Sequence, residues 1–139
     1  MKKLSVVIVS YNARQYLGSC IRSVEQAMKG IDGEIIVVDN QSSDGTVEDI
    51  KAHFPQVQVV ESGGNIGFAK ANNIGIRLSH SPYVLLLNPD TVVGANTLRQ
   101  TVDFMEQHPQ VGAAGVQMLN ADGTRAPESR RGRPTALVA

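Results

Sequence analysis

Apolar residues fall in short blocks along this chain, and the blocks alternate between two periods. Leu4 to Ser10 is an almost unbroken β-branched and apolar run, the pattern of a strand buried on both faces. Gln15 to Met28 carries Leu17, Ile21, Val24 and Met28 at helical spacing, and Gly30 and Gly33 end it. Glu34 to Asp39 predicts a second buried strand. Ser43-Asp44-Gly45-Thr46 then turns the chain into a short helix over Val47 to Phe54, stopped by Pro55. Val57 to Val60 predicts a third strand. After the loop Gly63-Gly64-Asn65-Ile66-Gly67, a helix is expected from Phe68 to Leu78, with Ala71, Ile74 and Leu78 on one face. Ser81-Pro82 breaks it, and Tyr83 to Leu87 predicts a fourth strand. Asn96 to Gln107 spaces Leu98, Val102 and Met105 to face a sheet, and His108-Pro109 ends that helix. Val111 to Leu119 is expected to be a fifth strand despite Gly112 and Gly115, followed by a turn at Asn120-Ala121-Asp122-Gly123.

Strands alternating with helices predict right-handed βαβ crossovers. The result is an α/β fold, a mostly parallel sheet with helices on both faces. The pattern fades after residue 123. The segment 124–139 holds Arg125, Arg130, Arg131 and Arg133 with two prolines and no period. It is expected to be an irregular basic tail, or the start of a further half, appended to a domain over 1–123.

The bulk numbers narrow the class. The 139 residues suffice for one domain with a sizeable core. Hydrophobic residues make up 42% and charged residues 19%, an ordinary globular balance. Thirteen basic and 13 acidic residues give a formal net charge of +0, which offers no bulk attraction to nucleic acid or to an anionic membrane. A single cysteine, Cys20, precludes an internal disulfide framework and fits a reducing compartment; its helical context predicts a small core residue. The first apolar run, Val6 to Val9, is too short for a signal peptide or a membrane span, so the expected location is cytoplasmic.

The candidate chemistry sits where buried strands end in polar residues, since ligands of open α/β sheets bind outside the carboxyl ends of the strands. Strand one ends in Ser10-Tyr11-Asn12, where a tyrosine ring can cover a flat base; the plainer role for Asn12 is to cap the next helix. Strand two delivers Asp39, whose carboxylate can accept bonds from a nucleobase imide or ribose hydroxyls; an Asx-turn is its structural alternative. Asp44, before Gly45-Thr46, suits the turn role better. The loop Gly64-Asn65-Ile66-Gly67 precedes a helix, so its backbone can approach a phosphate, although no G-x-G-x-x-G fingerprint precedes the first helix. Asn72 and Asn73 are poor helix formers inside a predicted helix and point to a buried polar neighbour or a ligand. Asn88-Pro89-Asp90-Thr91 follows Leu85-Leu86-Leu87. Pro89 must end that strand, and Asp90 then projects at its edge. A hard divalent cation on a diphosphate needs only one or two protein carboxylates. His53, His80 and His108 sit at helix ends, where they complement the dipole, without the spacing of a metal site.

Taken together, the segments Val6 to Asn12, Val37 to Thr46, Gly64 to Ala69 and Leu85 to Thr91 resemble glycosyltransferase family 2, in order and in spacing. The resemblance runs from about Leu4 to Leu119, and the Gly-Phe-Ala and Asn-Pro-Asp-Thr forms look most like its rhamnosyltransferase-like branch. It implies a Rossmann-like GT-A three-layer sandwich and a site for a nucleoside-diphosphate sugar, a UDP- or dTDP-sugar. The implied site residues are Ser10, Tyr11 and Asn12 around the base, Asp39 on base or ribose, and Asn65, Gly67 and Asn88 lining the donor. Asp90, as the last acid of the family's Asp-x-Asp motif, would hold Mg²⁺ or Mn²⁺ on the diphosphate. The resemblance further implies inverting transfer to a saccharide or lipid-linked acceptor in cell-surface polysaccharide synthesis, at the inner face of the membrane.

Two departures stand out. Asn88 replaces the first acid of the motif, which weakens the grip on a cation. No match to the family's later catalytic base follows Leu119; Glu128 lies among Pro127 and the arginines without the surrounding motif. The chain alone is therefore expected to bind the donor rather than transfer it. A nucleotidyltransferase would carry a glycine- and basic-rich loop directly after strand one, where this chain has Tyr11-Asn12-Ala13-Arg14-Gln15. A degenerate binding module without transferase activity is the other alternative. Arg125 and Arg130 could meet a diphosphate or an anionic acceptor, but a solvated run is the commoner role for such a cluster.

Overall fold

The computed structural model describes residues 2–126. Four strands and four helices alternate: β1 (Leu4–Ser10), α1 (Arg14–Ala27), β2 (Gly33–Asp39), α2 (Thr46–His53), β3 (Gln58–Glu61), α3 (Phe68–Leu78), β4 (Tyr83–Leu87) and α4 (Thr97–Gln107). All strand pairs are parallel, in the order β3-β2-β1-β4. Successive strands step outward from β1 to β3, and the chain then returns to the far side of β1. Right-handed crossovers place α1 and α2 on one face of such a sheet and α3 on the other. The contacts agree: α1 touches α2, whereas α3 lies against β1 and β2.

Because side chains alternate along a strand, each face has its own core. On the α3 face, Val7, Val9, Ile36, Val38 and Ala71 form a buried cluster, with Ile66 and Ile74 packed against it. The approach is so close that a Cβ on Gly75 would lie 2.3 Å from Val7 Cγ1. On the opposite face Val6, Ile8, Ile35 and Val37 are buried, as are Leu17, Ile21 and Val24 of α1. The expectation of an α/β sheet covered on both faces therefore holds.

Strand four is less enclosed than its composition predicts. Among the described residues it pairs with β1 alone, and Val84 and Leu86 are exposed, Leu86 by 45%. The expected fifth strand is absent. Residues 111–118 belong to no strand, and 112–120 are exposed. The run Gly112-Ala113-Ala114-Gly115 explains this. Two glycines raise the entropic cost of ordering, and two alanines bury too little surface to offset it.

The chain divides into two compact units, Met1–Gln100 and Thr101–Ala139, within α4. In the second, the predicted turn closes at Asn120–Gly123, with Gly123 at φ 86. Asn120 N–H donates to Thr124 O at 2.7 Å, and Leu119 bridges Arg125 antiparallel. Glu128, Arg130, Arg131 and Arg133 lie outside the described residues. No helix of the described chain is long and apolar enough to cross a membrane.

Candidate functional site

Parallel strands bring all their carboxyl ends to one edge. The register aligns Ser10 with Asp39 and Asp39 with Glu61, and it pairs Ile8 with Leu87, so that Asn88 leaves β4 beside the end of β1. The strand order reverses between β1 and β4. Connections leave that gap in opposite directions, which opens the crevice in which open α/β sheets bind ligands. Ser10-Tyr11-Asn12 and Asn88-Pro89-Asp90 flank it.

Asp39 organises the β1–β2 side. It is 1% exposed. Oδ1 accepts from Ser10 Oγ at 2.8 Å and from Ser42 Oγ at 2.6 Å, and Oδ2 accepts from Ser42 N–H at 2.9 Å. Asp39 thus closes a local turn onto the third residue along, whereas the two-residue Asx-turn is made by Asp44 to Thr46. Two carboxylate oxygens offer about four lone-pair sites; these bonds use three and leave one on Oδ2.

The two following turns are stitched together. Asn12 N–H donates to Ser42 Oγ, and Asn12 Oδ1 accepts from Ser43 N–H, both at 2.8 Å. Asn12 (φ 49) and Gln41 (φ 64) are the non-glycine residues with positive φ among those described. Left-handed backbone costs a non-glycine residue of order 1–3 kcal/mol, less for asparagine, and it persists where surrounding bonds over-determine it. Asn12 does not cap α1, as its position suggested: the cap residue is Ala13, without a side-chain bond. The Asn12 amide instead reaches across to the β2 turn, where the Ser43 N–H points at it. Between these anchored residues Tyr11 stands 52% exposed.

Asn40, whose importance the sequence reading missed, joins this edge to the glycine loop. It is buried, its N–H donates to Ser10 O (2.9 Å), and its Nδ2 donates to Gly67 O (3.3 Å). Ser62 Oγ lies 2.9 Å from Asn40 Oδ1 and 2.6 Å from Gly64 O. Gly67 adopts φ 90 and ψ 169, a region open essentially to glycine alone. Asn65 is exposed on this loop. The available signal for Asn40 was an amide directly after a buried strand-end acid.

Asp44 fills the turn role expected of it. Its carboxylate accepts from Thr46 N–H and Arg14 N–H, both at 3.1 Å, and from the Thr46 hydroxyl. Burial alone would raise its pKa; the Thr46 hydroxyl and the backbone N–H donors outweigh that and hold it below the usual carboxylate value. His53 and His108 each place Nδ1 against a carbonyl one turn back, at Asp49 and Phe104, consistent with end-of-helix roles.

At the end of β4, Asn88 and Asp90 are both exposed. Thr91 Oγ1 donates to Asn88 O at 2.7 Å, closing the turn that presents Asp90. Cys20 is wholly buried beneath it, with Sγ 3.7 Å from Asn88 O. Burial first, and the Asp90 charge to a lesser degree, push the thiol pKa up despite hydrogen bonding with Thr91, and Cys20 is a small core residue as its context predicted. Among the described residues no three His, Cys, Asp or Glu side chains form a metal-binding group. An exposed carboxylate and an exposed amide two residues apart on one turn are nonetheless of the donor types a hard cation takes when its remaining oxygens come from a diphosphate and water. The residues fit Mg²⁺ or Mn²⁺ held jointly with a ligand, and they do not fit a metal held by protein alone.

Asn72 is also buried, at 4% exposure, and neither its Oδ1 nor its Nδ2 has a partner. The polar neighbour predicted for it is not supplied by the described side chains.

Comparison with known proteins places the chain in a family and a fold. The chain is 27% identical over 139 residues to the N-acetylglucosaminyl-diphospho-decaprenol L-rhamnosyltransferase of Mycobacterium tuberculosis, covering 92% of this chain and 45% of that protein. It is 31% identical over 111 residues to the poly(ribitol-phosphate) beta-glucosyltransferase of Bacillus spizizenii, covering 76% of this chain and 18% of that one. The chain thus spans less than half the length of these relatives. Among solved structures, Staphylococcus aureus TarS 1–349 in complex with UDP superposes with a TM-score of 0.67 at 22% identity, over 84% of this chain and 38% of that one. The mannosyltransferase PcManGT of Pyrobaculum calidifontis, in complex with GDP-Man and Mn²⁺, superposes at 0.71 with 24% identity, over 84% and 36%. These likenesses show the GT-A fold. The model of glycosyl transferase family 2 matches residues 5–135, and the chain belongs to that family.

Proposed function

We propose that this chain forms the donor half of a glycosyltransferase that moves a sugar from a UDP- or dTDP-sugar to an acceptor hydroxyl, with inversion, in cell-surface polysaccharide synthesis. The observation that carries the proposal is that Tyr11 and Asp90 follow the carboxyl ends of β1 and β4, between which the strand order reverses, with Asp39 at the same edge on the neighbouring β2. The exposed Tyr11 ring stacks on the base. Asp39 uses its remaining Oδ2 lone pair to accept from the base imide or a ribose hydroxyl, and through Ser10 and Ser42 it holds Tyr11 and Asn12 in place. Asn65 and Gly67 line the donor from the glycine loop. Asn88 and Asp90 would hold Mg²⁺ or Mn²⁺, which neutralises charge developing on the departing nucleoside diphosphate. Asn88, neutral where a second acid would bind more tightly, tempers that grip. No described residue is assigned as the base that deprotonates the acceptor, a saccharide or lipid-linked hydroxyl. A cytoplasmic position at the inner membrane face suits that acceptor.

Thermal unfolding tests this. A ligand at about 100 times its Kd stabilises the folded state by about 2.7 kcal/mol, roughly 10 °C for a chain of this size. UDP, dTDP and GDP are each added with and without Mn²⁺. The expected result is a shift with at least one of them, enlarged by Mn²⁺, with the enlargement lost in Asp90→Ala. No shift with any of the three overturns the donor site; a Mn²⁺ response that survives Asp90→Ala moves the ion elsewhere.

A further inference from the structure

Past Leu87 the chain leaves the sheet, and residues 88–94 have neither helix nor strand periodicity. Pro89 adds no backbone donor. Asp90 would therefore wander unless something else fixes it, and the anchors come from α1. Cys20 Sγ lies 3.7 Å from Asn88 O and 3.9 Å from Thr91 Oγ1. One turn along the helix, Ser23 Oγ donates to Cys20 O at 2.7 Å and accepts from Val93 N–H at 3.0 Å. Asp90 lies between these two points of attachment.

We propose that Cys20 and Ser23 of α1 are positioning residues for Asp90, clamping the 88–93 segment so that its carboxylate is set for a divalent cation before the donor arrives. The inference rests on Asp90 as the metal ligand. Ser23 acts at the far end of the loop: its hydroxyl is spent on Cys20 O as donor and is free as acceptor only for Val93 N–H. Removing that acceptor releases the Val93 end while Thr91 still closes the turn at Asn88. The carboxylate then samples several positions, and each Mn²⁺ bound must select one. Groups bonded directly to a metal ligand typically alter metal affinity about 10- to 100-fold by such orientation; Ser23 acts through Val93, three residues from Asp90, so the low end of that range applies. The base side of the site, built on Asp39, Ser42 and Asn12, shares no hydrogen bond with this clamp, so metal-free binding is untouched.

The test is calorimetric titration of this chain with whichever of UDP, dTDP or GDP it binds, with and without Mn²⁺, for wild type, Ser23→Ala and Ser23→Thr. The expected result is that Ser23→Ala retains wild-type affinity without metal but loses about tenfold of the gain conferred by Mn²⁺. Ser23→Thr, which keeps the hydroxyl, retains that gain. Alanine is a better helix former than serine, so a folded Ser23→Ala chain is expected, and its melting temperature without ligand verifies it. Equal Mn²⁺ gains in wild type and Ser23→Ala overturn this inference alone. A wild-type chain that binds nucleotide with no Mn²⁺ gain overturns the metal reading of Asp90, and this inference with it.

Discussion

Asp39→Ala is the most demanding single change to this site. The carboxylate is buried and accepts three bonds, from Ser10 Oγ, Ser42 Oγ and Ser42 N–H. A bond to an ionised group contributes about 1.5–3 kcal/mol net, and a buried donor left without a partner costs about 1–3 kcal/mol. Ser10 is completely buried, so its hydroxyl is stranded; Ser42 is half-buried, and water can replace part of its loss. Relief from burying a charge offsets some of the total. The expected destabilisation is about 3–5 kcal/mol, the range for breaking a buried charged network, set against a total stability of about 5–15 kcal/mol. Urea unfolding followed by far-UV circular dichroism measures it as a lower midpoint at unchanged slope. Ser10→Ala removes the stranded hydroxyl, so the double variant loses less than the sum of the singles, by about 1–2 kcal/mol. A loss below about 1 kcal/mol, or strict additivity, refutes the account of Asp39 as the strut of this edge.

Gly75→Ala drives a methyl into Val7, which lies 2.3 Å from its Cβ position; overpacking of about 1–3 kcal/mol outweighs a helix-propensity gain of about 1 kcal/mol, and pairing with Val7→Ala relieves the clash in a double-mutant cycle. Asn72→Ala removes two buried, unpartnered amide atoms from a helix and raises stability by about 1 kcal/mol in urea unfolding; a fall in stability instead would reveal a bound water or ligand at that amide. Asn88→Asp adds a second carboxylate beside Asp90 and tightens Mn²⁺ by about tenfold in the presence of a nucleoside diphosphate; an unchanged affinity would show that residue 88 does not face the ion.

Much of the fold was legible because its signals are local. Val6 to Val9 and Ile35 to Val38 are continuous apolar runs of strand length, and the two central strands they form are buried on both faces. The expected fifth strand is absent because Gly112-Ala113-Ala114-Gly115 is apolar by composition yet lacks the side chains that hold a strand. The site was legible as a set of strand ends, since Ser10, Asp39 and Asn88 announce themselves by polarity after apolar runs. Their partners were not. Asn12 looked like a helix cap and proved to be a cross-link to Ser43, 31 residues away. Asp39 looked like a free ligand and proved to spend three of its four acceptor sites inside the protein.

Local periodicity and strand-end chemistry therefore determined the elements, the parallel sheet and the residues available for a donor site. Which strand lies beside which, and hence where the crevice opens, came only from the tertiary structure. The order β3-β2-β1-β4 depends on two helices packing on one face and one on the other, and no local pattern in the chain encodes that. The same assembly decides which polar groups are already used: a hydrogen bond between residues distant in sequence exists only once the sheet has brought them to the same edge.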